Sequence, residues 1–381
     1  MLGCICTNSA NAMDMQLSTD RYNSPFVGAD LMTAGLRGYQ IFDDSLFSGT
    51  EGQTCNKASF LRTGKIIFEY GLSYWGMVAQ HEVFGHGARA REFKLSDREY
   101  TVHPFSGSTT FSISDYNNLH ANQRAALAAG GVEGTSILAD NLEHAMFADA
   151  VIDRREAVFH LVNSFDQTRY VMQHASRRTM NYANDVTEYI AQVNSWHGTN
   201  TLNLHNLRFK TGWNLFNPMI YLSGYSIFKY LWMGDPFVDM PTLQMFDMRY
   251  MPTTRTLLAP WGPEMQLKNH MYSNEGRYVG LHFRVGRTGG VKSYGIDLQH
   301  KPLKQWCNFA LMHSISVWRQ PHLLKNTNAA TNVSKYGLAN FFTGYYSFNP
   351  TISGLAEIGY KTSGYLPGTP LAESLVWRIG V

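Results

Sequence analysis

The segment HEVFGH, residues 81–86, contains the residue types that bind a catalytic zinc ion and activate water. A catalytic zinc ion needs three protein ligands and one open position for water, and two histidines on one helix commonly supply two of the ligands. A carboxylate beside them can take a proton from the water as it attacks a carbonyl carbon. We therefore expect His81 and His86 to bind Zn²⁺ and Glu82 to act as the general base.

The spacing of the two histidines departs from the usual separation of four residues. A separation of five places two side chains about 140° apart around a regular α-helix, too far apart to bind one ion. One extra residue, accommodated as a π-bulge, would return His86 to the face of His81, and such bulges favour functional sites. Gly85 makes that deformation easier because it has no Cβ. The sequence thus predicts a π-bulge in a long helix over residues 64–92.

The third zinc ligand is expected on the next predicted helical run, about residues 122–165. We choose Glu133, because it follows His86 at a separation that suits delivery by the next helix. Glycines at positions 130, 131 and 134 would let that helix approach closely. Asp140, Glu143 and His144 remain alternatives, because they fall near the same helical face as Glu133.

These residues resemble the HExxGH motif of the dipeptidyl peptidase III metallopeptidases, with His81, Glu82, Gly85 and His86 as the matching positions. The resemblance implies zinc bound by both histidines, Glu82 as general base and a glutamate on a later helix as third ligand. That family's second motif has adjacent glutamates, EExxAE or EExxAD, whereas this chain has GGVEGTSILAD at residues 130–140. The resemblance is confined to these two segments, so the broader zincin class is the safer comparison.

The spacing of apolar residues along the chain changes near residue 235. Near-helical spacing of apolar residues predicts helices over residues 64–92, 122–165, 171–193 and 218–232. After Gly234-Asp235-Pro236, segments of about ten residues alternate apolar and polar side chains, with turn clusters such as Gly289-Gly290 between them. The predicted fold is α+β, with a mainly helical zincin-like domain at residues 50–235. An antiparallel β-barrel of about eight strands is expected at residues 240–381.

The alternating segments, rich in Tyr, Phe and Gly, resemble bacterial outer-membrane β-barrels, in which closure removes exposed sheet edges. The resemblance implies contact with outer-membrane lipid and a place in the bacterial cell envelope. A soluble barrel or sandwich shows the same alternation and remains an alternative. The chain ends in WRIGV, without the terminal aromatic residue that usually closes such barrels.

Residues 1–49 are expected to form an N-terminal segment that includes a remnant of a secretory signal. The pattern Ala10-Asn11-Ala12 is typical of a cleavage region, although a charged start and a full apolar stretch are missing, and an ordinary flexible terminus is the alternative. The four cysteines lack the paired spacing of a thiolate zinc site, so any metal must be bound by histidine and carboxylate. A net charge of +3 without a basic run argues against a nucleic-acid partner.

These patterns predict a zinc-dependent hydrolase, a metallopeptidase that acts on a peptide or protein substrate through Glu82. One alternative is a non-catalytic outer-membrane or envelope protein with a structural or vestigial metal site. Another is a soluble binding module whose barrel mouth holds a small ligand. A structural zinc site has four protein ligands, whereas a catalytic site leaves one position open. The number of ligands therefore discriminates between the hydrolase and the envelope protein with a structural site.

Overall fold

Helices make up most of the chain before residue 235, and an antiparallel sheet makes up most of the chain after it. The computed structural model describes residues 16–47, 56–173, 184–273, 275–306, 308–323, 334–349 and 352–381. The α-helices of these ranges are α1 (Pro25–Phe47), α2 (Asn56–Ala79), α3 (Gly87–Glu92), α4 (Ile113–Asn117), α5 (Ala121–Asp149), α6 (Arg154–Gln173), α7 (Asp185–His197), α8 (Leu204–Thr211) and α9 (Pro218–Met233). A π-helix, Gln80–His86, joins α2 to α3, and a 3₁₀-helix, Gly212–Phe216, follows α8. Within these ranges, no helix has the length and apolar character needed to span a membrane.

Ten strands form one antiparallel sheet in the order β1-β14-β13-β12-β11-β10-β9-β8-β7-β6. The strands of the described chain are β1 (Ser18–Asp20), β2 (Glu99–His103), β3 (Ser106–Thr110), β4 (Val151–Asp153), β5 (Phe237–Asp239), β6 (Leu243–Met245), β7 (Met248–Ala259), β8 (Gly262–Ser273), β9 (Tyr278–Thr288), β10 (Val291–Trp306), β11 (Phe309–Pro321), β12 (Ser334–Asn349), β13 (Ile352–Lys361) and β14 (Ser374–Gly380). The pairs β2–β3 and β4–β5 form separate two-stranded ribbons.

The α+β class is confirmed, and so are the period-two segments. The eight strands β7 to β14 are consecutive along the chain and adjacent in the sheet. Gly289 and Gly290 form the predicted turn between β9 and β10, with φ angles of +57° and +82° that L side chains rarely adopt. The predicted signal region before Met13 lies outside the described residues.

The predicted closed β-barrel is wrong, because the sheet does not close. Within the described ranges, its end strands β1 and β6 do not pair with each other. Residues of the 3₁₀-helix, and not a further strand, form hydrogen bonds with polar groups of β7. The backbone N–H of Thr256 donates to Asn214 Oδ1 over 2.6 Å, and Thr254 Oγ1 donates to the carbonyl oxygen of Trp213 over 2.9 Å. The 3₁₀-helix thus takes a place that barrel closure would need.

The centre of the helical part is α5, in which every residue from Ala125 to Ala139 is buried. A helix without a solvated face must be covered on all sides. The cover comes from α1, α6, α7 and the π-helix, and β7 also packs against α5. This central position lets α5 contact both the HEVFGH segment and the sheet.

Buried ion pairs join α1, α2 and the start of α6. The Arg154 guanidinium donates to Asp43 over 2.6 Å and also to Glu69, and all three side chains are buried. The adjacent Arg155 donates to Asp153 over 2.6 Å. Buried charges of this kind are costly unless each has a partner, so the network specifies how these helices are placed.

Glu156 lies in the same region and predicts a pH dependence of stability. Burial, followed by the charge of Asp153, raises the pKa of Glu156 to about 8 from 4.5. Because the folded chain holds this proton more tightly, the stabilisation is fully present below pH 4.5 and is lost as the pH rises through 8. At about 1.4 kcal/mol per pKa unit, we expect a fall of a few kcal/mol in the free energy of unfolding.

Denaturant unfolding at several pH values between 5 and 8.5 checks this expectation. Glu156→Gln should flatten the dependence, because the amide stays neutral throughout. Glu99→Gln, at an exposed position on β2, is the matched control and should keep the wild-type slope. Equal slopes for wild type and Glu156→Gln would contradict the assignment.

Candidate metal centre

The HEVFGH segment lies in the π-helix Gln80–His86, within one continuous helical run from α2 to α3. A π-helix closes its hydrogen bonds between residues five apart, so it aligns side chains at that separation. His81 Nε2 and His86 Nε2 accordingly lie 3.2 Å apart. The predicted π-bulge is confirmed, and with it the convergence of the two imidazoles.

Close backbone contact between the π-helix and α5 depends on glycines in both. A Cβ at Gly85 would lie 2.5 Å from the carbonyl oxygen of Gly130, and a Cβ at Gly131 would lie 2.2 Å from His81 Nε2. Real Cβ atoms essentially never come so close. The glycines of α5 therefore allow the helix approach that the sequence predicts, and they leave room for the His81 ring.

Asp185 completes a three-residue group with the two histidines. Its Oδ2 lies 3.1 Å from His86 Nε2 and 3.4 Å from His81 Nε2. Asp185 is the first residue of α7, and the side chain of Asn184 caps that helix by accepting from the N–H of Thr187 over 3.0 Å. Among the described residues, this is the group whose side chains could hold a metal ion.

The outward nitrogen of each imidazole is held by a separate acceptor. His81 Nδ1 lies 2.9 Å from Asp166 Oδ2, which also accepts from Thr135 Oγ1 over 3.0 Å. His86 Nδ1 lies 2.8 Å from the carbonyl oxygen of Leu127. With a proton on each Nδ1, both Nε2 lone pairs point toward Asp185. Metal-binding histidines are usually oriented in this way, by a carboxylate or a backbone carbonyl on the other nitrogen.

The electrostatics of the group favour positive charge between these side chains. Burial opposes the imidazolium forms, but Asp166 and Asp185 outweigh it, so the pKa of His81 is raised well above its ordinary value and that of His86 is raised. Burial would also raise the carboxylate pKa values, yet the imidazoles lower the pKa of both Asp166 and Asp185. A divalent cation could supply the positive charge that the buried Asp166 and the partly exposed Asp185 attract.

Glu82 follows His81 on the π-helix and is half-buried. Its Oε2 accepts from Thr109 Oγ1 over 2.9 Å, where Thr109 lies on β3. The Glu82 carboxylate is among the charges that raise the pKa of His86, so it lies near the group without being one of its three members. This position suits a carboxylate that exchanges protons beside a metal.

Tyr170 on α6 is a further neighbour that sequence reasoning missed. Its ring centroid lies 5.8 Å from that of His81, and its side chain is hydrogen-bonded to Asp185. Burial and the charge of Asp185 raise the pKa of the Tyr170 hydroxyl, which keeps it a neutral donor. A hydrogen bond from this hydroxyl fixes the carboxylate orientation.

Glu133, the ligand expected from the sequence, lies elsewhere. Its carboxylate accepts from Arg89 at both oxygens, over 2.6 and 3.1 Å, and its Oε1 accepts from the Gly368 N–H over 2.7 Å. Arg89 also donates to the carbonyl oxygen of Thr369 over 2.9 Å. Glu133 thus ties α5 to α3 and to the C-terminal segment, and Asp185 takes the position beside the histidines.

The three alternatives to Glu133 also have other partners. Asp140 and Glu143 lie 2.9 and 3.0 Å from Arg255 Nη2, and His144 Nε2 lies 2.9 Å from the Tyr272 hydroxyl. Asp185 escaped sequence reasoning because it lies 99 residues from His86 along the chain. The local signal at Asp185 is an Asn-Asp pair at a helix start, which ordinarily indicates capping.

A cavity of about 980 Å³ lies between α5 and the sheet, and its lining includes Asp140, His144, Lys268 and Lys301. None of the three residues of the candidate metal group lines it. The Asp185 side chain is 29% exposed, whereas both histidines are buried. Access to the group therefore runs past Asp185 and not through this cavity.

Comparison with protein-family models, curated proteins and solved structures found no match.

Metal content distinguishes Asp185 from Glu133 as the third ligand. We expect near one zinc ion per chain in the wild type, lost in His86→Ala and strongly reduced in Asp185→Asn, because the amide carries no charge. Glu133→Gln should keep its zinc, because the Glu133 carboxylate is paired with Arg89. Elemental analysis of variants whose fold is verified by circular dichroism measures this, and the reverse pattern would overturn the choice of Asp185.

The glycine contact gives a second prediction. Gly131→Ala should lower zinc affinity at least tenfold, because the new Cβ would displace the His81 ring. Gly71→Ala on α2 is the matched control, since a Cβ there meets nothing within 4 Å, and it should bind zinc as the wild type does. Competition with a fluorescent zinc chelator measures both affinities, and unchanged affinity in Gly131→Ala would show that His81 is not a ligand.

Proposed function

We propose that the chain is a zinc-dependent hydrolase that cleaves peptide bonds, with His81, His86 and Asp185 as ligands and Glu82 as general base. The observation that carries the proposal is the convergence of three ligand atoms at mutual distances of 3.1, 3.2 and 3.4 Å. Ligand atoms about 2.0 Å from a tetrahedral zinc ion lie about 3.3 Å from one another. The three atoms thus have the spacing of three corners of a zinc tetrahedron.

The donor set also supports a catalytic site. Two imidazoles and one carboxylate suit zinc, and the group as described has three members, which leaves a fourth position for water. The same donors occur in non-haem iron(II) sites, but there the chemistry needs no neighbouring base. The Glu82 carboxylate beside the histidines favours hydrolysis.

Bound zinc would supply a Lewis acid that polarises a substrate carbonyl and lowers the pKa of water. Glu82 accepts a proton from the attacking water and returns it to the leaving amine, so the carboxylate is regenerated with each turnover. Thr109 holds one Glu82 oxygen by its hydrogen bond and leaves the other for this exchange. Asp166 keeps His81 in the tautomer that presents Nε2.

A peptide is the proposed substrate because HExxH-type sites belong to metalloproteases and because amide carbonyls need strong polarisation. We place the activity in a bacterial cell envelope, on the resemblance of the strand pattern to outer-membrane proteins. The partially exposed Asp185 gives an extended chain a route to the group.

The competing function is a non-catalytic envelope protein in which the same residues form a structural or vestigial metal site. A structural site would need no base, so Glu82 would be dispensable for all measurable properties. Activity and metal content, measured on the same variants, separate the two functions.

Glu82→Gln should retain near one zinc ion per chain and lose hydrolysis by about 10²- to 10⁴-fold, the usual contribution of a general base. Thr109→Val should reduce kcat less, because the carboxylate remains and loses only its orientation. A panel of quenched fluorescent peptides, assayed with zinc-loaded protein, provides the measurement. The control Glu99→Gln lies on the strand paired with that of Thr109 and should keep full activity.

Zinc-loaded wild type without activity on the whole panel, or full activity in Glu82→Gln, would refute the hydrolase. Iron in place of zinc after purification from supplemented medium would also refute it. Zinc retained in Glu82→Gln with activity lost establishes the role of Glu82 and excludes the structural alternative.

A further inference from the structure

In strands β8 to β10, the large sheet has its polar face inside and its apolar face outside. On β8 the side chains of Glu264, Lys268 and His270 are buried, while Met265 and Leu267 between them are exposed. The next two strands repeat the arrangement. Arg284 on β9 and Asp297 on β10 are buried, and the residues on either side of each are exposed. A half-solvated antiparallel sheet of a soluble protein shows the opposite order, with apolar side chains toward the core.

The outward apolar residues form continuous rows across the paired strands. One row runs through Leu267, Phe283, Ile296, Val317 and Leu338, each directly paired with the next. All five side chains are between 38 and 45% exposed. The neighbouring strands extend the same face with Phe342, Ile358, Tyr360, Leu375, Trp377 and Ile379. The exposed apolar surface is therefore far larger than scattered single residues would make it.

The inward face has charges that a sheet normally exposes, and several of them are paired with an opposite charge. Arg284 donates to both oxygens of Asp297, over 3.0 and 3.1 Å. Arg378 on β14 donates to Asp30 on α1 over 3.1 Å and to Glu357 on β13 over 3.3 Å. These residues cannot exchange places with the outward ones without unpairing buried charge. The paired charges thus fix which face of the sheet points outward.

Two hydrogen-bonded groups within the outward face pair inside the protein, whereas His300 Nδ1 on β10 has no partner among the described residues. His313 Nε2 lies 2.6 Å from Asn340 Oδ1 on the paired strand. Asn269 donates to the Leu281 carbonyl oxygen over 2.8 Å and accepts from the Tyr250 hydroxyl over 2.8 Å. Internal pairing of this kind is required where no water is present to hydrogen-bond.

The dimensions of the face match a bilayer. On β12 the outward residues run from Tyr336 to Tyr346, ten steps of about 3.3 Å, or about 33 Å along the strand. At the tilt of about 40° that membrane strands adopt, this length spans about 25 Å, the height of the apolar band of outer-membrane proteins.

The residues at the two ends of the outward apolar face differ from those in its middle. Tyr294 and Tyr336 lie at one end, and Trp306 and Tyr346 lie at the other. Aromatic side chains at both limits are typical of membrane interfaces. At the first end, the exposed Arg319 lies level with the two tyrosines, and the exposed Arg287 and Lys292 lie beyond them. Basic side chains at that level can contact anionic lipid headgroups.

The curvature of the sheet favours a fluid occupant over a protein. Strands from β8 to β14 line one cavity with Lys268, Lys301, Tyr345 and Arg378, so the opposite face is convex. A protein would need a matching concave apolar surface to cover it, whereas acyl chains cover a convex face without a specific shape.

We propose that the outward face of β8 to β14 contacts the acyl chains of a lipid bilayer, with Arg287, Lys292 and Arg319 at the level of the headgroups. This proposal goes beyond the zinc site and does not depend on it. Failure of one proposal leaves the other standing, because metal content and lipid contact are measured separately.

Spin labels at adjacent residues of β10 test the proposal in the full chain. The four native cysteines are first replaced by serine, and single cysteines are then introduced as Leu298→Cys, Gln299→Cys and Lys292→Cys. Leu298 is outward, Gln299 is its matched inward neighbour on the cavity, and Lys292 is outward at the basic end. Each labelled protein is reconstituted in phosphatidylcholine vesicles containing phosphatidylglycerol.

We expect the label at Leu298 to collide with dissolved oxygen severalfold more than with a water-soluble nickel complex. Lys292 and Gln299 should show the reverse preference. A label at Leu298 that prefers the nickel complex would overturn the proposal, because the face would then be in water. Dipolar broadening between the Leu298 labels of two copies, together with few collisions with oxygen, would also overturn the proposal. That result would show that the face is an interface between two copies of the chain.

Discussion

The close contact of the π-helix with α5 is the constraint on which the candidate site depends. Gly85 and Gly130 meet at backbone distance, and Gly131 leaves room for the His81 imidazole. Without that approach, the Leu127 carbonyl and the Thr135 hydroxyl of α5 could not reach the groups that they orient. The candidate site therefore needs both the extra residue in the π-helix, which aligns the histidines, and the small residues of α5, which let the two helices approach.

The same helix connects this site to the sheet. Near its middle, Glu133 binds Arg89 and the C-terminal segment. Nearly three turns later, Glu143 accepts from Arg255 of β7 over 3.0 Å and from Asn217 over 2.6 Å. Buried carboxylates along α5 thus have structural partners on both sides. These partners explain why the acidic residues of α5 that the sequence pattern offered as zinc ligands are not beside the histidines.

Charge placement distinguishes the two parts of the chain. In the helical part, buried ions are concentrated where helices meet, as at Arg154 with Asp43 and Glu69. In the sheet, they line the inner face, as at Arg284 with Asp297. Apolar side chains occupy outer positions of the strands, and the inner face combines these buried charges with apolar clusters such as Trp318, Ala339 and Phe341.

The sequence by itself determined the local features. The spacing of His81 and His86 around Gly85 predicted the π-bulge, the glycines at 130 and 131 predicted the close approach, and period-two alternation predicted the eight long strands. Each follows from interactions within one element or between neighbours along the chain, which a linear pattern can express. The tertiary structure decided which carboxylate joins the histidines and whether the sheet closes. Asp185 lies 99 residues from His86, and the edge of β7 is occupied by Asn214 rather than a strand. Both outcomes depend on the packing of distant segments, for which residue spacing carries no information.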